Sequence, residues 1–109
     1  MTAGPLTSEG GGRLEVESVV LDGNAVIRLR GELDLNTADR FGEATQLVYA
    51  AGVPTLVVDL SELDFIDSSG LRELVVAHRR QVEIGGGVVL HAPNDRVRRV
   101  LDMSGSTRF

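Results

Sequence analysis

The run Thr55-Leu56-Val57-Val58-Asp59-Leu60, followed a few residues later by Asp67-Ser68-Ser69-Gly70, decides the fold. Both faces of a strand at 55–60 are largely apolar, the pattern of a central parallel strand covered by helices on both sides. After the Asp-Ser-Ser-Gly turn, Leu71, Leu74, Val75, His78 and Val82 recur at three- and four-residue spacing, which predicts a helix. Ser61 to Ser69 then reads as the connecting loop, and Gly85-Gly86-Gly87 as the helix stop.

Upstream, Asn36 and Thr37 can cap a helix carrying Ala38, Phe41, Ala44, Leu47, Val48 and Ala51, ended by Gly52 and Pro54. Before it, Leu14–Val20 and Ala25–Leu29 flank Asp22-Gly23-Asn24, and Asp-Gly between apolar runs marks an antiparallel hairpin. Downstream, Val88–Leu90 predicts a fourth strand, and Val97, Val100 and Leu101 a third helix after Pro93 and Asn94. The order is β-β-α-β-α-β-α, an α/β fold built on a four-stranded mixed sheet. Right-handed crossovers make the last three strands parallel, with strands two and three adjacent.

The composition sets limits on the chemistry. A chain of 109 residues, 42% hydrophobic and 25% charged, fits one globular domain. Residues 1–12 hold four glycines and no apolar period, so they read as a flexible, dispensable tail ahead of a single domain at 13–109. With no cysteine, thiolate metal sites, disulfides and cysteine nucleophiles are excluded. Every one of the 11 basic residues is Arg, which removes the phosphate-binding lysine of a P-loop and any Schiff-base lysine.

Net charge is -5, and residues 31–70 carry eight acids against Arg40 alone. That acidic middle repels nucleic acid. The longest apolar run, Leu47 to Ala51, is five residues, against about 20 for a membrane span, and the N-terminus has no basic start. A cytoplasmic protein, free of membrane, cofactor and metal, is the expectation.

Sites in open parallel sheets form outside the carboxyl ends of the strands. Three segments meet there: Gly31–Asp34, Ser61–Gly70 and His91–Asn94. Asp34 should therefore lie beside Asp67-Ser68-Ser69-Gly70. The turn has two readings: Asp and Ser capping a helix, or a serine open to phosphorylation at a helix N-terminus. Asp34 reads equally as a solvated residue in a strand-ending turn. His78 reads as structural. His91 stands near the edge without a second ligand at metal-binding spacing. The G-x-S-x-G elbow of a serine hydrolase is absent, so no catalytic residue and no enzyme is expected.

Taken together, G-E-L-D-x-x-T-A (31–38), V-D-L-S-x-L-x-F-I-D-S-S-G-L (58–71), G-G-V-V-L (86–90) and V-R-R-V-L (97–101) resemble the STAS family, specifically the bacterial anti-sigma factor antagonists. The likeness runs from about residue 14 to 105. It implies a STAS fold and a protein-binding switch. Such proteins bind an anti-sigma factor that is also an ATP-binding serine kinase of the GHKL type, and so free a sigma factor. Phosphorylation of the second serine of D-S-S-G, here Ser69 with Ser68 as rival, ends that binding, and a PP2C-type phosphatase restores it. Asp34, Asp67, Ser68, Ser69 and Gly70 then form the partner-binding surface of a protein that is monomeric when free. The competing reading is a STAS module that is not phosphorylated and serves as a ligand-binding or signalling scaffold.

Overall fold

A computed structural model of the chain describes residues 13–104; the expectation for residues 1–12 lies outside them. The elements are β1 (Leu14–Leu21), β2 (Asn24–Leu33), α1 (Ala38–Ala50), β3 (Thr55–Ile66), α2 (Ser68–Glu83), β4 (Gly87–His91) and α3 (Asp95–Ser104). The sheet order is β1-β2-β3-β4, with β1 antiparallel to β2 and the other two pairings parallel. Element order, hairpin and parallel strands agree with the sequence reading. The turn places Asp22 at φ 53° and Gly23 at φ 82°, backbone that Asp-Gly adopts readily.

Helices on both faces are not what forms. Ala25, Ile27 and Leu29 of β2, Leu56, Val58 and Leu60 of β3, and Val88 of β4 are buried on one face with Phe41, Leu74, Val97 and Leu101 from the helices. The other face stays open. There Glu15, Arg30 and Glu62 form one cross-strand row, and Glu17, Arg28 and Asp59 the next. Arg30 Nε lies 2.7 Å from Glu62 Oε1, and Arg28 Nε 3.3 Å from Asp59 Oδ2. A smallest dimension of 19 Å accommodates one sheet and one helical layer. Val57 misled the reading because it is the lone apolar residue among the outward positions of β3 after Thr55 and before Asp59.

Ser61–Ser69 is a second correction. β3 continues to Ile66, pairing Arg30 with Glu62, Gly31 with Leu63, Glu32 with Phe65 and Leu33 with Ile66. Two register shifts each place an extra β3 residue opposite β2, so the buried positions run Leu60, Leu63, Ile66 at a spacing of three. A search for strict alternation misses such a bulged strand. Only Asp67 separates it from α2.

Two helix faces also differ from expectation. Leu47 is 71% exposed and Val82 53%, while Thr45 and Gln81 are buried. Thr45 Oγ1 donates to the Gly42 carbonyl within its own helix. Leu47 instead lines, with Val16, Val20, Ala44 and Val48, an open groove of about 550 Å³ between β1 and α1. Gln81 donates from Nε2 to the carbonyls of Val53 (2.6 Å) and Pro54 (2.8 Å), satisfying backbone at the start of β3. His78 is half-buried and accepts the Val88 N–H on Nδ1 at 3.1 Å. Gly87 belongs to that arrangement, since a Cβ there would lie 3.1 Å from His78 Cε1.

Candidate functional site

The three parallel strands deliver their carboxyl ends to one edge, where β2 ends at Leu33 and β3 at Ile66, side by side. Asp67 follows in extended conformation (φ -119°, ψ -170°) as the N-cap of α2. Its Oδ1 accepts the N–H groups of Ser69 (2.9 Å) and Gly70 (3.1 Å), two donors that the helix cannot itself satisfy. Its Oδ2 accepts the Leu35 N–H at 3.2 Å, and its own N–H donates to the Leu33 carbonyl at 3.2 Å. One carboxylate thus fastens the start of α2 to the segment after β2. The structure brings Asp34 and the serine turn together as the topology required, and the capping role falls to Asp67.

Gly70 permits this closeness. A Cβ on it would lie 2.7 Å from Leu33 Cγ, 2.8 Å from the Leu33 carbonyl oxygen and 2.9 Å from Ile66 Cγ1. Gly70 is therefore a packing residue, buried, and contributes to a binding surface only by setting where its neighbours stand. Ser68 is exposed and Ser69 half-exposed. Among the described residues nothing holds either hydroxyl.

Asp34 is half-buried and is more than a solvated residue. Its Oδ1 accepts from the Asn36 N–H at 3.0 Å and lies 3.3 Å from Thr37 Oγ1. Thr37 is fully buried; its Oγ1 accepts the Asp34 N–H at 2.9 Å and donates to the Glu32 carbonyl at 2.8 Å. Thr37 occupies the N-cap position of α1, yet its side chain makes no capping bond to the helix, because it is committed to the turn behind it. The G-E-L-D-x-x-T spacing is thus a hydrogen-bonded unit closing β2 onto α1.

Of the third segment, Asn94 Nδ2 donates to the Leu63 carbonyl at 3.0 Å and its Oδ1 accepts the Val97 N–H at 2.8 Å, capping α3. His91 is exposed and faces no group of three metal-ligating side chains; the described residues contain none. Two side chains at the edge escaped the sequence reading. Leu35, beside Asp34, is 75% exposed, and Phe65, two residues before Asp67, is 42% exposed. The available signal was a leucine in a polar turn.

A two-layer α/β domain with its serine turn at the carboxyl edge defines the class. The STAS domain profile matches residues 15–109. The anti-sigma F factor antagonist of Paenibacillus polymyxa is 32% identical over 93 residues, 84% of this chain and 80% of that one. An anti-sigma factor antagonist from Mycobacterium paratuberculosis superposes with a TM-score of 0.79 at 29% identity, covering 86% of this chain and 80% of that one. Unphosphorylated SpoIIAA superposes at 0.76, with 28% identity over 87% of this chain and 83% of its own. Phosphorylated SpoIIAA of Bacillus superposes at 0.68, with 28% identity over 85% and 84%.

The chain belongs to the STAS domain family, among its anti-sigma factor antagonists. Among the described residues no helix is long and apolar enough to cross a membrane.

Proposed function

We propose that this chain is an anti-sigma factor antagonist whose unphosphorylated form binds an anti-sigma factor in the cytoplasm and thereby releases a sigma factor. The partner is an ATP-binding serine kinase of the GHKL type that phosphorylates Ser69; the phosphorylated chain dissociates, and a PP2C-type phosphatase returns it to the binding form. The chain acts by binding and carries no catalytic group of its own. The observation that supports this most is the serine turn itself. Asp67 satisfies the helix N-terminus, so neither serine is needed as a cap, and both hydroxyls remain unengaged at the strand edge. Relatives named as anti-sigma antagonists, and a solved homologue known in unphosphorylated and phosphorylated forms, support the same reading.

The test is incubation of the purified chain with ATP and the purified anti-sigma kinases of its own organism. A gain of about 80 Da, one phosphoryl group, is expected with one of them, with the phosphate mapped to Ser69. Ser69→Ala should bind that kinase and resist modification. A phosphate mapped to Ser68, or full modification of Ser69→Ala, removes the assignment. Tight binding with no phosphate on either serine would favour the scaffold reading instead.

A further inference from the structure

We infer that Leu35 and Phe65 are the apolar anchors by which this chain docks on its anti-sigma partner, both at the strand edge that carries the serine turn. The inference rests on the function proposed above and asks where its binding free energy resides. Nine large apolar side chains are substantially exposed among the described residues: Val19, Val20, Leu21, Leu35, Leu47, Phe65, Val82, Val89 and Met103. Their distribution is uneven. Val19, Val20 and Leu21 lie at the β1–β2 hairpin, and Val89 within β4; Leu47, Val82 and Met103 stand in the C-terminal halves of α1, α2 and α3. The parallel strands run toward the site edge and the helices run back from it, so these seven lie away from the serines. Leu35 and Phe65 alone among the nine stand at the site edge.

Their placement is fixed by the same bonds that build the switch. Leu35 gives its N–H to Asp67 Oδ2, so the carboxylate that caps α2 also positions the backbone of Leu35. Phe65 pairs in register with Glu32 on β2, and Ile66 with Leu33, which holds the Phe65 backbone two residues from Asp67. At 75% exposure Leu35 leaves most of its side chain outside the fold and available to a partner. Burying such side chains in a partner, with surrounding polar contacts excluding water, is how a small part of an interface supplies most of its affinity.

The neighbouring side chains describe the partner. Glu32, Asp34, Asp64 and Asp67 lie within three residues of one or other of the pair, whereas the nearest cations in sequence, Arg30 and Arg40, each stand five residues from Leu35, the first bonded to Glu62 and the second to the Leu14 carbonyl. The complementary face is an apolar hollow for each anchor with Arg or Lys at its rim. A phosphate at the same edge would then meet a surface that the anchors have just dried.

The experiment measures, by calorimetry on the full unphosphorylated chain, the dissociation constant for the kinase identified as above. Leu35→Ser and Phe65→Ser should each weaken binding tenfold or more, while Leu47→Ser and Met103→Ser, equally exposed but remote, should stay within twofold. Circular dichroism checks that each variant is folded. Leu35→Ser, the more exposed change, carries the test alone if Phe65→Ser does not fold. Binding of Leu35→Ser within twofold of the parent overturns the anchors and leaves the proposed function standing. Failure of the unsubstituted chain to bind any anti-sigma kinase overturns the function, and the anchors with it. Loss of self-association on size exclusion, with partner binding unchanged, would make the pair a contact between copies and overturn the inference as well.

Discussion

Replacing Gly70 by Ala sets two opposed effects against each other at the point on which the site depends. In a helix, Ala is favoured over Gly by about 0.8–1 kcal/mol, less in the first turn, where α2 places residue 70. Against that, the new methyl would fall within 3 Å of three atoms, one of them the Leu33 carbonyl oxygen, which is backbone and already bonded to the Asp67 N–H. Overpacking of this kind costs about 1–3 kcal/mol. The net expectation is a loss of about 1 kcal/mol and a melting temperature lower by roughly 4–8 °C for a domain of this size. Partner affinity should fall too, because α2 must move away from the end of β2. Gly42 supplies the contrast. A methyl there would lie 2.9 Å from Glu73 Oε1, the far end of a flexible side chain, so Gly42→Ala should raise stability by up to about 1 kcal/mol. Urea unfolding followed by circular dichroism measures both. If Gly70→Ala stabilises as much as Gly42→Ala, the close approach of α2 to β2 is wrong, and the argument for the site falls with it.

Asp67→Ala removes the acceptor for three backbone N–H groups and should cost about 1–2 kcal/mol in urea unfolding, while Asp67→Asn, which still caps, should lose less than half as much. Equal losses would mean that charge, not capping, is what the position supplies. Asp34→Ala should cost about 0.5–1.5 kcal/mol, because its carboxylate holds the turn into α1, and should weaken partner binding beyond that by displacing Leu35; unchanged stability would return Asp34 to a purely solvated role. The Asp59 carboxyl is held below the ordinary 3.8, chiefly by the N–H of Ser61, with its hydroxyl and Arg28 assisting against the effect of burial. A lowered carboxyl pKa contributes stability that is present above the unfolded value and lost as pH falls through the folded one. The stability difference between parent and Asp59→Asn should therefore be constant from pH 5 to 7 and shrink below about pH 4; a difference that instead grows on acidification contradicts the assignment.

How much was legible in the sequence follows from which signals are local. Asp-Gly at 22–23, the helical spacing after Ala38 and after Leu71, and the Gly and Pro stops each depend on a few adjacent residues, and they gave the element order and strand directions. What failed depended on partners distant in the chain. Leu63 and Ile66 are both inward residues only because β3 bulges against β2, whereas the alternation in Glu62-Leu63-Asp64-Phe65 would have turned Phe65 inward with Leu63 and left Ile66 out. Gln81 is buried because two carbonyls at Val53 and Pro54 need donors, a demand that residue 81 does not advertise. At the site, D-S-S-G was found from its position after a strand. That Asp67 would do the capping, and leave both serines unengaged, required knowing that the Leu35 N–H reaches its other oxygen.

That last detail bears on how a phosphate on Ser69 would act in the proposed switch. A helix N-terminus ordinarily welcomes an anion, through its unpaired N–H groups and its dipole, the latter worth about 0.3–1 kcal/mol. Here the N–H groups of Ser69 and Gly70 are already given to Asp67. The phosphoryl group would bring about -1.5 to -2 charges to a turn whose natural anion site is filled by another carboxylate. Displacing Asp67 would exchange one anion for another and free the Leu35 backbone, so little is gained by it. The phosphate would therefore remain outward and hydrated, and the domain would tolerate it because neither serine belongs to the core. Docking removes that water. Desolvating the group beside Asp67 and Asp34 needs to cost only about 2.7–4.1 kcal/mol to weaken binding 100- to 1,000-fold. Asp67 thus has two consequences: it builds the turn that presents the serine, and it denies the phosphate the site that would otherwise have absorbed its charge.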